Sequence, residues 1–155
     1  MIAKVISGFE LIIKRSMICF MVISCLSFAQ KNKEVIFTDK APKPIGPYSQ
    51  AIKAGNTLYL AGQVAIKLDG NLDSSSIENE TTQVLNNLKA VLEAAKMSFK
   101  NVVKTTIYVT DLKNFKKIND TYATFFTENP PARETVEVKS LPKGAHIEIS
   151  MVAVD

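Results

Sequence analysis

The sequence predicts an α+β domain of two layers, a mixed sheet covered on one face by two helices, and three observations carry that prediction. Two segments repeat apolar residues at helical spacing, and six shorter ones read as strands. Their order is β-ββ-α-β-α-β-β, which mixes hairpins with helical crossovers. The last strand is apolar on both sides, with Ile147, Ile149 and Met151 set against Val152 and Val154. A sheet with two apolar faces and helices for only one of them favours an oligomer whose sheets pack together.

The elements justify themselves in turn. After the polar Lys31-Asn32-Lys33, residues 34–38 read as a short strand. Residues 41–47 hold three prolines and a glycine and so form a stiff irregular segment. Residues 50–54 and 57–63 are extended runs flanking Gly55-Asn56, a hairpin signal. A loop, 67–74, leads to a helix opened by Ser75 with Glu78 as a capping box. Its buried stripe is Ile77, Thr81, Val84, Leu85, Leu88, Val91, Leu92 and Ala95. Residues 101–109, rich in valine, threonine and isoleucine, form the next strand. Asp111 caps a second helix that buries Leu112, Phe115, Ile118, Tyr122 and Phe125, and Pro130-Pro131 stops it. Strands over 134–138 and 145–154 complete the domain.

One domain of ordinary size, 30–155, therefore follows a short extension. In that extension Lys14 and Arg15 precede an apolar run of 12 residues, Met17 to Phe28, ending in the small-residue pattern Ser27-Phe28-Ala29. This reads as a secretory signal peptide, 1–29, cleaved before Gln30, which places the mature chain in the periplasm or outside the cell. The run is shorter than the roughly 20 residues that span a bilayer. Two alternatives stand beside it: a retained anchor, and a lipoprotein in which Val22-Ile23-Ser24-Cys25 directs lipid to Cys25. Cys19 and Cys25 are the only cysteines, so the mature domain has no disulfide, thiol nucleophile or thiolate metal site. The net charge of +4 is spread over scattered lysines, with only Lys116-Lys117 adjacent. Such scatter makes no phosphate-tracking stripe, and nucleic acid is not the expected partner.

Arg133 is the first candidate for chemistry. Beyond residue 29 the chain has 15 lysines and this one arginine. Where a solvated charge suffices the sequence uses lysine, so a lone arginine suggests that the planar fork is needed to bind a carboxylate. It sits at the start of a strand, after the rigid Pro130-Pro131-Ala132. The competing role is structural, capping a helix end or pairing with Glu134 or Glu137, and composition leaves the two even.

Glu148 lies between Ile147 and Ile149, on the strand face shared with His146 and Ser150. It is either a solvent-facing carboxylate or a pocketed one whose burial raises its pKa toward that of a general base. His146 is the only histidine and has no ligand-spaced neighbour, so a surface or interface role fits it better than metal binding. Tyr48 follows the rigid Ile45-Gly46-Pro47 and either covers an apolar substrate or joins the core. Asn119, beside the apolar stripe of the second helix, either orients a substrate or caps a local backbone group.

Five segments then come together in order and spacing. They are Ile-Gly-Pro-Tyr-Ser-Gln (45–50), Leu-Ala-Gly-Gln-Val (60–64) and Val-Lys-Thr-Thr-Ile-Tyr-Val-Thr-Asp-Leu (103–112). The last two are Asn-Asp-Thr-Tyr with Phe-Phe (119–126), and Pro-Ala-Arg with Leu-Pro-Lys-Gly-Ala-His-Ile-Glu-Ile (131–149). Over residues 35–154 the chain resembles the RidA/YjgF family of reactive-intermediate deaminases.

The resemblance implies a chorismate-mutase-like α+β fold and a homotrimer with clefts between subunits. It also implies hydrolysis of 2-imino acids, such as 2-iminopropanoate and 2-iminobutanoate, to 2-keto acids and ammonia, with no cofactor and no metal. Arg133 would grip the substrate carboxylate, and Glu148 would position or activate water. Tyr48, Gly62 and Asn119 would line the cleft, and Thr135 would offer a hydroxyl contact where many members carry cysteine. Ser150 stands in place of a second acidic residue, and the turn before Pro131 is shorter than in many members. The competing functional reading is an exported trimer that binds small carboxylates or amino-acid-like ligands without turning them over; it would keep Arg133 and not need Glu148. A ribonuclease role fits poorly with export and with the missing basic stripe.

Overall fold

The computed structural model describes residues 33–155; the expected signal segment 1–29, with Cys19 and Cys25, lies outside the described residues. Six strands form one sheet in the order β1-β2-β3-β6-β4-β5. They are β1 (Lys33–Ile36), β2 (Ala51–Ala54), β3 (Thr57–Gln63), β4 (Val102–Val109), β5 (Ala132–Glu137) and β6 (Ile147–Val154). Every pairing is antiparallel except that of β4 with β5, whose connection carries a helix, as a parallel crossover requires. The predicted element order and the α+β architecture are both present. Among the described residues no helix is long and apolar enough to cross a membrane.

Strand parity sets the layers. On the central β6, Ile147, Ile149, Met151 and Ala153 are buried, while the alternate residues Glu148, Ser150 and Val152 are half-buried. The buried side packs against α1 (Ile77–Ala94) and joins Leu58, Leu60, Ile107, Val84, Leu85, Leu88, Val91 and Leu92 in one core. The opposite side carries Tyr59, paired in register with Val152, together with Val154 and Val136, all exposed in the single chain. This is the second apolar face that the sequence leads one to expect.

Three local expectations are corrected. Helix α1 is capped by Ser76, whose hydroxyl accepts from the Asn79 backbone N–H at 3.1 Å; Ser75 instead accepts from the Asn79 side-chain amide. Asp111 caps a short 3-10 turn, Leu112–Asn114, before α2 (Phe115–Ala123) begins. The tighter turn shifts the register of the stripe, so Leu112 and Phe115 are exposed while Ile118, Tyr122 and Phe126 fill the core. His146 precedes β6 and does not share the Glu148 face. Its backbone N–H and Nδ1 both engage the Glu80 carboxylate on α1, at 2.6 and 3.0 Å.

Candidate active site

The segment between β1 and β2 is positioned by a buried amide. Gln50 Oε1 accepts from the Thr38 N–H at 2.7 Å, and its Nε2 lies within hydrogen-bonding distance of the carbonyls of Thr38, Ala41 and Pro42. These bonds satisfy backbone groups that no sheet or helix partners, and they hold the proline-rich stretch against β3. Tyr48 folds back within that stretch, its phenol oxygen accepting from the Ile45 N–H at 3.2 Å while its ring stays exposed. On the other side, Asn87 of α1 donates to the carbonyls of Val64 and Ile66, fixing the chain just beyond β3.

Between these anchors lies a cleft of about 290 Å³ lined by residues that include Tyr48, Gly62, Lys43, Pro142 and Glu148. At Gly62 the register of β3 against β6 is irregular, and the carboxylate of Glu148 lies against the glycine; a Cβ there would overlap it. A side chain at this position would have to push the Glu148 carboxylate aside. Burial alone pushes the Glu148 carboxyl above the usual glutamate range. We expect Gly62→Ala to displace that carboxylate and lower turnover on the order of a hundredfold, the scale of an ångström misplacement. The melting temperature should change little, because the side chain that must move is only half-buried. Wild-type turnover would show that Glu148 does not need its seat on Gly62.

Arg133 lies elsewhere. It is the second residue of β5, at the strand's entry as expected, opposite Thr105 of β4, and Thr105 is fully buried. Arg133 and Thr135 therefore share the helix-covered face, and Glu148 projects from the other. A second hollow, about 380 Å³, is lined by Arg133, Asn119, Tyr122, Ala123, Phe126, Pro130 and Pro131. The Arg133 Cζ stands 4.9 Å from the centre of the Tyr122 ring and 5.9 Å from that of Phe115. Burial raises the Tyr122 hydroxyl pKa, against smaller opposing effects of its bond to Thr105 and of the Arg133 charge. Thr135 is two residues beyond Arg133 on the same face and does not line this hollow.

Neither glutamate named as a structural partner engages Arg133. Glu134 is engaged by Lys104 at 3.2 Å and by the Thr106 hydroxyl at 2.8 Å, and Glu137 accepts from the Leu112 N–H. Among the described residues no carboxylate pairs with Arg133.

The predicted residues thus fall into two groups on one chain: Tyr48, Gly62 and Glu148 in one cleft, Arg133 and Asn119 in another. Sequence reasoning missed the framework residues Gln50, Asn87 and Thr105, and it placed Tyr122 in the core without placing it beside Arg133. A polar side chain on the buried stripe of an amphipathic helix, as Asn87 is between Val84 and Val91 of α1, was the available signal.

The α+β domain presents a carboxylate cleft and a separate arginine hollow, and comparison with known proteins says which family builds such a domain. Residues 38–155 match the family model described as Endoribonuclease L-PSP. A RutC family protein of Pyrococcus horikoshii is 54% identical over 122 residues, 78% of this chain and 97% of its own. The human 2-iminobutanoate/2-iminopropanoate deaminase is 43% identical over 123 residues, 79% of this chain and 90% of its own. The crystal structure of a conserved Rid-family protein from Yersinia pestis superposes with a TM-score of 0.78 at 48% identity, covering 80% of this chain and all of that one. The chain belongs to the RidA/YjgF family, as its motifs imply.

Proposed function

We propose that this protein hydrolyses 2-imino acids to 2-keto acids and ammonia in clefts formed between subunits of a homotrimer. The observation that carries the reading is the division of the two key groups between opposite faces of the sheet. One chain holds a carboxylate seated on a glycine, and on its far side an arginine with no carboxylate partner among the described residues. A second copy is needed for both to meet one small substrate. The apolar sheet face with Tyr59, Val136, Val152 and Val154 supplies the surface for such packing.

In the assembled cleft Arg133 of one subunit grips the substrate carboxylate with its two-pronged fork. Glu148 of the neighbour takes a proton from water as the oxygen attacks the imine carbon. That proton passes to the imine nitrogen to give a neutral carbinolamine, whose hydroxyl proton then moves by way of Glu148 to the nitrogen as the C–N bond breaks, so that ammonia leaves and the carbonyl forms. The carbon's oxidation level is unchanged, so no redox partner enters the balance. Tyr48, Gly62 and Asn119 shape the cleft, and the Thr135 hydroxyl offers a further contact. Such a reaction draws on positioning and one proton acceptor. Support comes from the human relative, whose name states this activity.

The decisive experiment generates 2-iminopropanoate or 2-iminobutanoate with an amino-acid oxidase and follows loss of the imine. Acceleration by the protein is expected; binding of 2-keto acids with no acceleration would instead establish a carboxylate-binding module. Light scattering of the mature domain should give about three times the monomer mass at micromolar concentration, the closed cyclic state such a cleft needs. A monomer would leave the site incomplete.

We also propose that the chain is exported and begins at Gln30 after cleavage of residues 1–29. Intact-mass measurement on protein from its native host tests this. A mass retaining residues 1–29 would refute it, and a lipid adduct on Cys25 would establish the lipoprotein form.

A further inference from the structure

An arginine on an edge strand has several rotatable bonds, and each one left free must be frozen when a carboxylate binds. Arg133 has no carboxylate among the described residues to steady it. What borders it is aromatic: the Tyr122 ring at 4.9 Å, with Phe115 further out at 5.9 Å. Tyr122 is itself immobilised from two directions. Its hydroxyl donates to Thr105 Oγ1 at 3.1 Å, and its ring stacks on Phe126 with centroids 4.5 Å apart and planes 20° from parallel. Thr105 is fully buried and is the residue paired in register with Arg133 across the β4–β5 ladder. The tyrosine is thus tethered to the same rung of the sheet that carries the arginine. A ring face so placed attracts the guanidinium and limits where it can point.

We propose that Tyr122, tethered by Thr105, is a positioning residue that holds the Arg133 guanidinium ready for the substrate carboxylate. The inference rests on the carboxylate-binding role given above to Arg133. It predicts that Tyr122 acts on affinity and does so only through Arg133.

The test titrates 2-oxobutanoate by calorimetry into the trimer and its Arg133→Ala, Tyr122→Leu, Tyr122→Phe and Tyr122→Met variants, with KM and kcat for imine hydrolysis alongside. Tyr122→Leu should weaken binding about 5- to 30-fold, the scale of a partly desolvated cation–π contact. The loss should fall on KM rather than kcat. Tyr122→Phe, which retains the ring, should restore most of the affinity. In the Arg133→Ala background Tyr122→Leu should add nothing, because a residue acting through another has no separate effect once its target is gone. Full affinity in Tyr122→Leu, or an equal loss in both backgrounds, overturns the proposal. Should Tyr122→Leu fail to fold, Tyr122→Met, a flexible apolar side chain without an aromatic face, decides the matter. A loss of affinity there supports the aromatic bracket, and none overturns it. Arg133→Ala binding like wild type would remove the carboxylate assignment and this inference together. A loss in Arg133→Ala with none in the aromatic variants removes the inference alone.

Discussion

Replacing Glu148 with glutamine should lower imine hydrolysis by about a hundredfold or more, the usual contribution of a positioned general base. The amide keeps the shape of the side chain against Gly62 and removes the proton acceptor. Binding of 2-oxobutanoate should be nearly unchanged, because the proposed mechanism gives the carboxylate to Arg133. The pH dependence carries a second signature. The base works ionised, and burial raises the pKa of Glu148, so the protein keeps that proton to a higher pH than an ordinary glutamate would. The acid limb of kcat/KM should therefore lie above the usual glutamate range in the wild type and vanish in Glu148→Gln. A variant that hydrolyses imines at the wild-type rate, with the limb intact, would show that another group accepts the proton.

Replacing Arg133 with lysine should weaken binding of the imino acid and of unreactive 2-keto acids alike. The charge stays but the planar fork goes, and with it a pair of charge-assisted hydrogen bonds. The expected loss is about 1.5–3 kcal/mol, or roughly 10- to 150-fold in Kd. The loss of stacking on Tyr122 acts in the same direction. Thermal stability should hold, since Arg133 has no ion pair to break among the described residues. Calorimetric titration with 2-oxobutanoate, beside a melting curve, measures both. An unchanged Kd would mean that the carboxylate is bound elsewhere, with Lys43 in the other cleft the next group to examine.

Much of this protein is decided by chain-local chemistry. The helical stripe from Ile77 to Ala95 needs no partner to be recognised, because spacing at three and four residues is itself the signal. The same holds for Glu148 standing opposite Ile147 and Ile149 on its own strand, and for Arg133 as the sole arginine of the domain. The hairpin at Gly55-Asn56 also follows directly, since Gly55 adopts a positive φ of 62°.

Tertiary structure decided what depends on relations between segments. Parity along β5 says that Arg133 and Thr135 point the same way, but only the register with β4 shows which way that is. Pairing Arg133 with the buried Thr105 turns it to the helices, away from Glu148. The irregular register between Leu60 and Gln63 of β3 seats the Glu148 carboxylate on Gly62, and local alternation cannot anticipate it. His146 turns to Glu80, 66 residues away, rather than sharing a face with Glu148, because the strand begins two residues later than its apolar pattern suggests. The sequence by itself determined which main elements form and which residues are candidates to act. Only the register of the sheet decided that those residues lie on opposite faces of one chain, because strand register is set by contacts distant in sequence.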